Sequence, residues 1–556
     1  MLSISSYYIP SIIYWHFAAN IYTVRNKKAM YKYHERISAM SMPKNKKYKY
    51  VVSFIVALCF HLSFVLCFAQ DGHPTIRFLG AARMVGGSCC LIDTGKTRAL
   101  IDFGLFYGEY RALNDNIDFD PSTIDFVFLT HAHIDHAGRV PLLYRYGFKG
   151  KTIGTDATKD LSRIVLEMSL KLAKERASYT VDDIVKMMDN FMTIPYNRTL
   201  NLNNELSVRF RDAGHIMGSS IIELWIRKEN RKIKIVATGD LGNDHLSLLK
   251  QTDIIRDGDY IVIESTTGPI QRKSSSLETF GKEIRKTLKM GGSVLIPAFV
   301  VDRTQKLLYV LGDMKRKGLI PQEVPIYLDS PTARAVTKLY RTYSRYFGPN
   351  ALSYQSCCGS PLSFPSVHEI SSHDALMTHD RGQPAIYISS SAMLDHANAP
   401  RHLERMIENP MNLLALVTWQ APGSPGWKIQ NGAKTIQIPI EEYGETGSVR
   451  YVEKQVNIRV KTFDMFSCHA DGCQILTWLS NFLKTKEIFV VHGEKDNAIR
   501  MAEIITQKLG LKATAPEMGA VAYLFAQGKD YSIKTLHHHD LCSGMETSNT
   551  TDNSMD

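Results

Sequence analysis

Residues 124–138 read IDFVFLTHAHIDHAG, an apolar run that drives straight into three histidines and an aspartate. No other stretch constrains the fold as strongly. The run has the length and the branched, aromatic content of a buried strand. Side chains alternate along a strand, so His131 and His133, leaving its end, point the same way. Asp135 and His136 follow at the turn, and the two pairs are placed to face two neighbouring cation positions. Imidazole and carboxylate donors together suit zinc, with manganese or iron less favoured. Four residues cannot satisfy two ions, so further ligands are expected at other strand ends. DAGHIMGS offers His215, and ATGDLG offers Asp240, which could bridge both ions. Asp102, in LIDFG, is expected to support a ligand from behind.

The flanking sequence alternates short strands with amphipathic helices, the pattern of an α/β layered fold. A first unit is expected over 74–268. From 269 a separate β-α-β rhythm begins (GSVLIPAFV, PIYLDS, AIYISSSAML, NLLALVTWQ), a candidate inserted domain reaching 450. Strand–loop units resume over 451–530. Residues 531–556 carry few apolar groups and are expected to be a disordered tail.

HxHxDH, GHxxGS and GD, in that order, resemble the metallo-β-lactamase fold. VIEST with Glu264, FSCHAD with His469 and VHGEKD with His492 resemble its β-CASP branch, the nucleic-acid-processing nucleases. The resemblance implies an αββα sandwich carrying an inserted β-CASP α/β domain, over about residues 75–530. It implies two zinc ions, with manganese as a substitute. His131, His133 and His215 would hold one ion, Asp135, His136 and His492 the other, and Asp240 would bridge them. It further implies that His469 protonates the departing 3′ oxygen of a cleaved phosphodiester, with Glu264 orienting it. The implied activity is a metal-dependent nuclease, endo- or 5′-exonucleolytic, on RNA and also single-stranded DNA.

The inserted domain is expected to form the second wall of a cleft. Arg303 and the run Ser389–Ser390–Ser391 are the expected phosphate contacts, by a bidentate fork and short donors. The blander alternatives are a surface ion-pair arginine and a plain serine turn. Cys468, the stretch Ala392–Asp395–His396–Ala397 and Trp427 depart from the family's usual residues. Those departures bear on the substrate wall rather than on the metals. A small-molecule hydrolase acting on a lactam, thioester or lactone and a non-catalytic scaffold are the competing functions.

The formal charge of +11 argues little about a polyanionic partner, because residues 1–69 hold nine basic residues and one acid. Without them the net charge is +3. Four lysines precede VVSFIVALCFHLSFVLCFA (51–69), which resembles a secretory signal peptide or a membrane anchor. Either reading places the body outside the cytoplasm, while a misread leader would leave it inside. Residues before Met42 are expected to stem from an over-extended start. Expected partners are the nucleic-acid strand, a second copy of the chain, and a membrane through 51–69. The vicinal pairs Cys89–Cys90 and Cys357–Cys358 are expected to be packing residues rather than a disulfide framework.

Overall fold

The computed structural model describes residues 73–173, 176–243, 248–272, 276–370, 382–441, 448–524, 531–532 and 546–547. The chain first lays down β1 (Thr75–Gly80), β2 (Cys89–Asp93), β3 (Arg98–Ile101), β4 (Phe126–Phe128), β5 (Lys151–Gly154) and β6 (Phe191–Thr193). They pair in sequence order, antiparallel from β1 to β3 and parallel from β3 to β6. A second sheet follows with β7 (Thr199–Asn201), β8 (Leu206–Asp212), β9 (Ser220–Lys228), β10 (Arg231–Ala237) and β11 (Tyr260–Glu264). β7 to β10 form an antiparallel meander, and β11 joins β10 in parallel.

The two sheets pack face to face. Phe78, Phe128, Phe210, Leu224, Val262 and Phe489 fill the space between them. The outer face of the first sheet is covered through Val140, Leu143, Leu166, Ile184 and Met187, all on helices. Helices Gly472–Leu479 and Lys495–Leu509 cover the second sheet with Ile475, Leu476, Met501 and Ile505. Each sheet buries both faces, which explains runs such as Tyr260–Glu264, apolar up to the closing Glu264 and buried throughout. The result is the helix–sheet–sheet–helix sandwich expected from the sequence.

After β12 (Ile270–Gln271) the inserted domain builds β13 (Val294–Pro297), β14 (Ile326–Asp329), β15 (Val367–Glu369), β16 (Ile386–Ser389) and β17 (Leu413–Leu416). A hairpin of β18 (Thr435–Glu441) and β19 (Val449–Gln455) and then β20 (Arg459–Thr462) complete it. Its six-stranded sheet is parallel throughout, in the order β15-β14-β16-β13-β17-β20. Phe280, Leu307, Leu311 and Tyr340 pack helices on one face, and that core is continuous with Ala132, Ala157, Ile216 and Met217 of the sandwich. The insert therefore rests directly on the loops that carry His131, His133 and His215.

The sandwich resumes with β21 (Lys484–Thr485), β22 (Glu487–Val491), β23 (Ala513–Thr514) and β24 (Val521–Tyr523). β22 pairs in parallel with β11, and β24 closes the first sheet against β1.

Four expectations need adjustment. The return to the sandwich, expected at 451, falls inside β19. β20 completes the insert's sheet, so the insert runs to Thr462. The apolar run 124–130 contributes only Phe126–Phe128 as strand, because Leu129 and Thr130 already turn toward the site. Within the tail, Tyr531–Ser532 pairs with β21 and Glu546–Thr547 with β12. Cys357 and Cys358 are joined as a disulfide where helix Pro349–Cys358 ends at Gly359. The leader 1–69 lies outside the described residues.

Candidate metal centre

All the ligand candidates collect at one edge of the sandwich. Asp102 and His492 follow directly on β3 and β22, Glu264 ends β11, and His131 and Asp240 lie three residues beyond β4 and β10. His215 sits in the β8–β9 connection, which opens at the same edge. Two glycines permit the approach. A Cβ on Gly104 would lie 1.5 Å from the Asp135 carbonyl oxygen, and one on Gly239, at φ +53°, would lie 2.7 Å from the Thr130 Cβ. Asp102 and His492 adopt the left-handed conformation without being glycine, at φ +61° and +51°. Such strain is held only where the surroundings over-determine it.

The donor atoms form two cradles. In the first, His133 Nδ1 lies 3.1 Å from both His131 Nε2 and His215 Nε2, and Asp240 Oδ2 lies 3.5 Å from each of those two nitrogens. In the second, His136 Nε2 and His492 Nε2 are 3.2 Å apart. Asp135 Oδ2 stands 3.3 Å from His492 Nε2, and Asp240 Oδ1 stands 3.4 Å from His136 Nε2. A tetrahedron with zinc–ligand bonds of ~2.0–2.1 Å has edges of about 3.3–3.4 Å, so these spacings fit a metal. Asp240 sends one oxygen to each cradle. Its Oδ1 is buried with no hydrogen-bond donor, a costly arrangement unless a cation faces it.

The second nitrogen of nearly every imidazole is tied to oxygen, which turns a bare nitrogen inward. His136 Nδ1 meets Asp102 Oδ2 at 2.7 Å, and His215 Nδ1 meets the Cys468 carbonyl at 3.1 Å. The Thr130 hydroxyl donates to Asp102 at 2.7 Å and stands 3.0 Å from His131 Nδ1. Thr266 Oγ1 stands 2.9 Å from His492 Nδ1. Burial pushes His131, His133 and His215 below the usual histidine value, His133 to about 3, so all three are neutral donors at neutral pH. Burial also opposes charge on His136, but Asp240 and Asp102 outweigh it and raise that histidine well above its ordinary value. For Asp240 burial favours the acid, yet His492, His136 and His469 hold it well below the carboxylate range. Asp240 thus stands as an anion in the middle of the centre, facing donors of both cradles.

Asp102→Asn tests the support behind His136. Asparagine tolerates the left-handed backbone, but its amide presents hydrogens to Nδ1. Metal affinity should fall by roughly 10- to 100-fold, measured by competition with a chromogenic chelator.

His469 stands beside the cradles without joining them. Its Nδ1 lies 3.2 and 3.3 Å from the two oxygens of Glu264, and its side chain is 20% exposed. Glu264 is buried and accepts the Leu241 N–H at 2.6 Å. Arg272 donates to the His469 carbonyl at 2.7 Å and to Thr267 Oγ1 at 2.7 Å.

On the insert side, Arg303 is 6% exposed and no carboxylate pairs with it among the described residues. Its Nη1 donates to the Val417 carbonyl, and its buried Nε has no partner. It abuts the thiol of Cys468, which burial raises and the Arg303 guanidinium opposes. Ser389 and Ser391 spend their hydroxyls inside the domain, on the Asp329 carbonyl at 3.0 Å and on Asp395 Oδ1 at 2.6 Å. Ser390 bonds Ser330 Oγ at 3.0 Å and is part-exposed. Sequence reasoning passed over Thr130, Thr266 and Arg272. Each acts only through a contact that the folded chain creates.

Comparison with known proteins accords with this architecture. Residues 82–194 match the metallo-beta-lactamase superfamily model, 304–429 the Beta-Casp domain, and 453–516 the Zn-dependent metallo-hydrolase RNA specificity domain. A ribonuclease of Thermus thermophilus is 33% identical over 77% of this chain and 94% of its own length. An RNase J-like protein of Methanocaldococcus jannaschii is 30% identical over 80% and 99%, and a transcription termination factor of Pyrococcus abyssi 30% over 79% and 70%. These relatives correct the expectation of export. They are named for ribonuclease action and transcription termination, and nothing in them speaks for export, so the outward destination read from 51–69 is withdrawn. Among the described residues, no helix is long and apolar enough to cross a membrane. With both cradles, the insert and these relatives in view, the chain belongs to the β-CASP nuclease family of metallo-β-lactamase-fold metal-dependent hydrolases.

Proposed function

We propose that this chain is a two-zinc ribonuclease that cleaves phosphodiester bonds in single-stranded RNA. The observation that carries the reading is the His469–Glu264 pair standing beside a double metal cradle. The segment 453–516, matched by an RNA specificity domain model, contains both His469 and His492. The ribonuclease names of the relatives add to this.

His131, His133 and His215 would hold one ion, and Asp135, His136 and His492 the second, with Asp240 shared. Bound there, the ions would supply Lewis acidity toward the phosphodiester and would lower the pKa of an attacking water. The protein does the rest. The Glu264 carboxylate takes the Nδ1–H of His469, which fixes the ring and leaves Nε2 to face the substrate. His469 Nε2 then delivers its proton to the 3′ oxygen as the P–O3′ bond breaks and water's oxygen bonds to phosphorus, a proton of that water passing to solvent. Arg303 and Ser390 line the opposite wall, where they restrain the neighbouring phosphates.

The test is direct. Purified protein is given labelled single-stranded RNA and a chromogenic lactam, before and after chelation. RNA cleavage should vanish on chelation and return with zinc, and elemental analysis should find two zinc ions per chain. Lactam turnover without RNA cleavage would overturn the substrate, and a single ion at full activity would overturn the count.

A further inference from the structure

The inserted sheet turns one edge toward His469, the edge at the carboxyl ends of its parallel strands, where open α/β sheets receive ligands. Along that edge the order of strands is β14, β16, β13 and β17. β16 leads into Ser390, β13 leads through Phe299 to Arg303, and β17 leads through Val417 to Trp419. The Val417 carbonyl accepts from Arg303, so the tryptophan stands two residues from the group that holds the guanidinium.

Trp419 is 72% exposed, between Thr418 and Gln420 at 6% and 2%. The backbone beneath it is pinned. Gln420 Nε2 donates to the Thr418 and Ala392 carbonyls, each at 3.2 Å, and Gly426 N–H donates to the Met393 carbonyl at 3.2 Å. A mobile loop could fold such a ring away, whereas this one holds it out in water. Phe299, on the neighbouring strand, is 47% exposed. Its carbonyl accepts from Thr304 Oγ1 at 2.8 Å, which ties it to the first turn of the Arg303 helix. Among the described residues neither ring packs on another ring or a cation. Scattered surface aromatics are ordinary. Two rings held out just past the ends of paired strands, each beside backbone that the buried Arg303 or its helix bonds, are not.

We propose that Trp419, with Phe299 beside it, is a stacking platform for the bases of single-stranded RNA, while Arg303 and Ser390 hold the phosphates. The inference rests on the ribonuclease reading and adds to it how the strand is gripped. Every base has a π-face, so such a platform binds without regard to sequence. A paired base keeps its faces covered, so duplex RNA is refused.

The experiment follows steady-state cleavage of an unstructured labelled RNA by the zinc-loaded full chain. Trp419→Ala should raise KM by about 10- to 100-fold, the range expected when one stacked base loses its ring. Trp419→Phe should stay within a few-fold of the parent, and Trp419→Leu should resemble the alanine variant. Abasic substitution at one position should reproduce the loss in the parent and cost nothing further in Trp419→Ala. An unchanged KM in Trp419→Ala, or rescue by leucine as good as by phenylalanine, would overturn the platform while leaving the ribonuclease standing. A parent protein that cleaves no RNA would bring down both readings.

Discussion

Asp240→Ala should abolish RNA cleavage, with a loss of roughly three orders of magnitude or more, and should empty both cradles together. The two oxygens of Asp240 serve different halves of the centre, at 3.5 Å from His131 and 3.4 Å from His136. Its removal also strips four buried imidazoles of a carboxylate that stands within 3.5 Å of each. Elemental analysis should find well under one zinc per chain. His133→Ala is the useful contrast, because His133 contributes to the first cradle alone. It should leave one ion in place. Retention of two zinc ions in Asp240→Ala would mean that the carboxylate does not bridge.

His469→Ala should lower kcat by about 10²- to 10⁴-fold, the usual contribution of a general acid, with both zinc ions retained. The geometry separates the two effects. His469 is 3.8 Å from Asp240 and reaches out of the cradle toward Glu264. A substrate whose leaving group needs no protonation, such as a phosphodiester with a nitrophenolate arm, should be hydrolysed by the variant nearly as fast as by the parent. If His469→Ala lost zinc instead, the residue would be a ligand and the proton would have to come from elsewhere. Glu264→Gln should show a milder loss of the same kind, since the amide holds the ring less firmly than the two carboxylate oxygens at 3.2 and 3.3 Å do.

What could be read from the sequence follows from distance along the chain. HAHIDH is legible because its spacing is local, with two alternating side chains and then a turn. GHIMGS and TGDLG are legible because each sits where an apolar strand stops. The fold class follows from the same periodicity. The contacts that tune the site are different in kind. Asp102 reaches His136 across 34 positions, and Cys468 reaches His215 across 253. No local pattern marks the Thr266 hydroxyl as a partner for His492. The end of the insert was misplaced because RVKT reads as a strand whichever sheet it joins. Only its pairing with β17 assigns it to the insert. Ser389 and Ser391 show the opposite hazard. A run of hydroxyls looks like an anion site, yet two of the three are consumed by the domain that carries them.

The parallel pairing of β22 with β11 also has a bearing on how the protein is made. His136 and His492 meet at 3.2 Å across 356 residues. Most of both sheets and the whole inserted domain therefore leave the ribosome before the second cradle has its last donor. A nascent chain carries His131, His133 and His215 early, but not His469 or His492. Assembly of the cutting machinery waits on a late, long-range strand insertion, which is among the slower steps in folding. The second cradle is thus the part of the centre that is completed last.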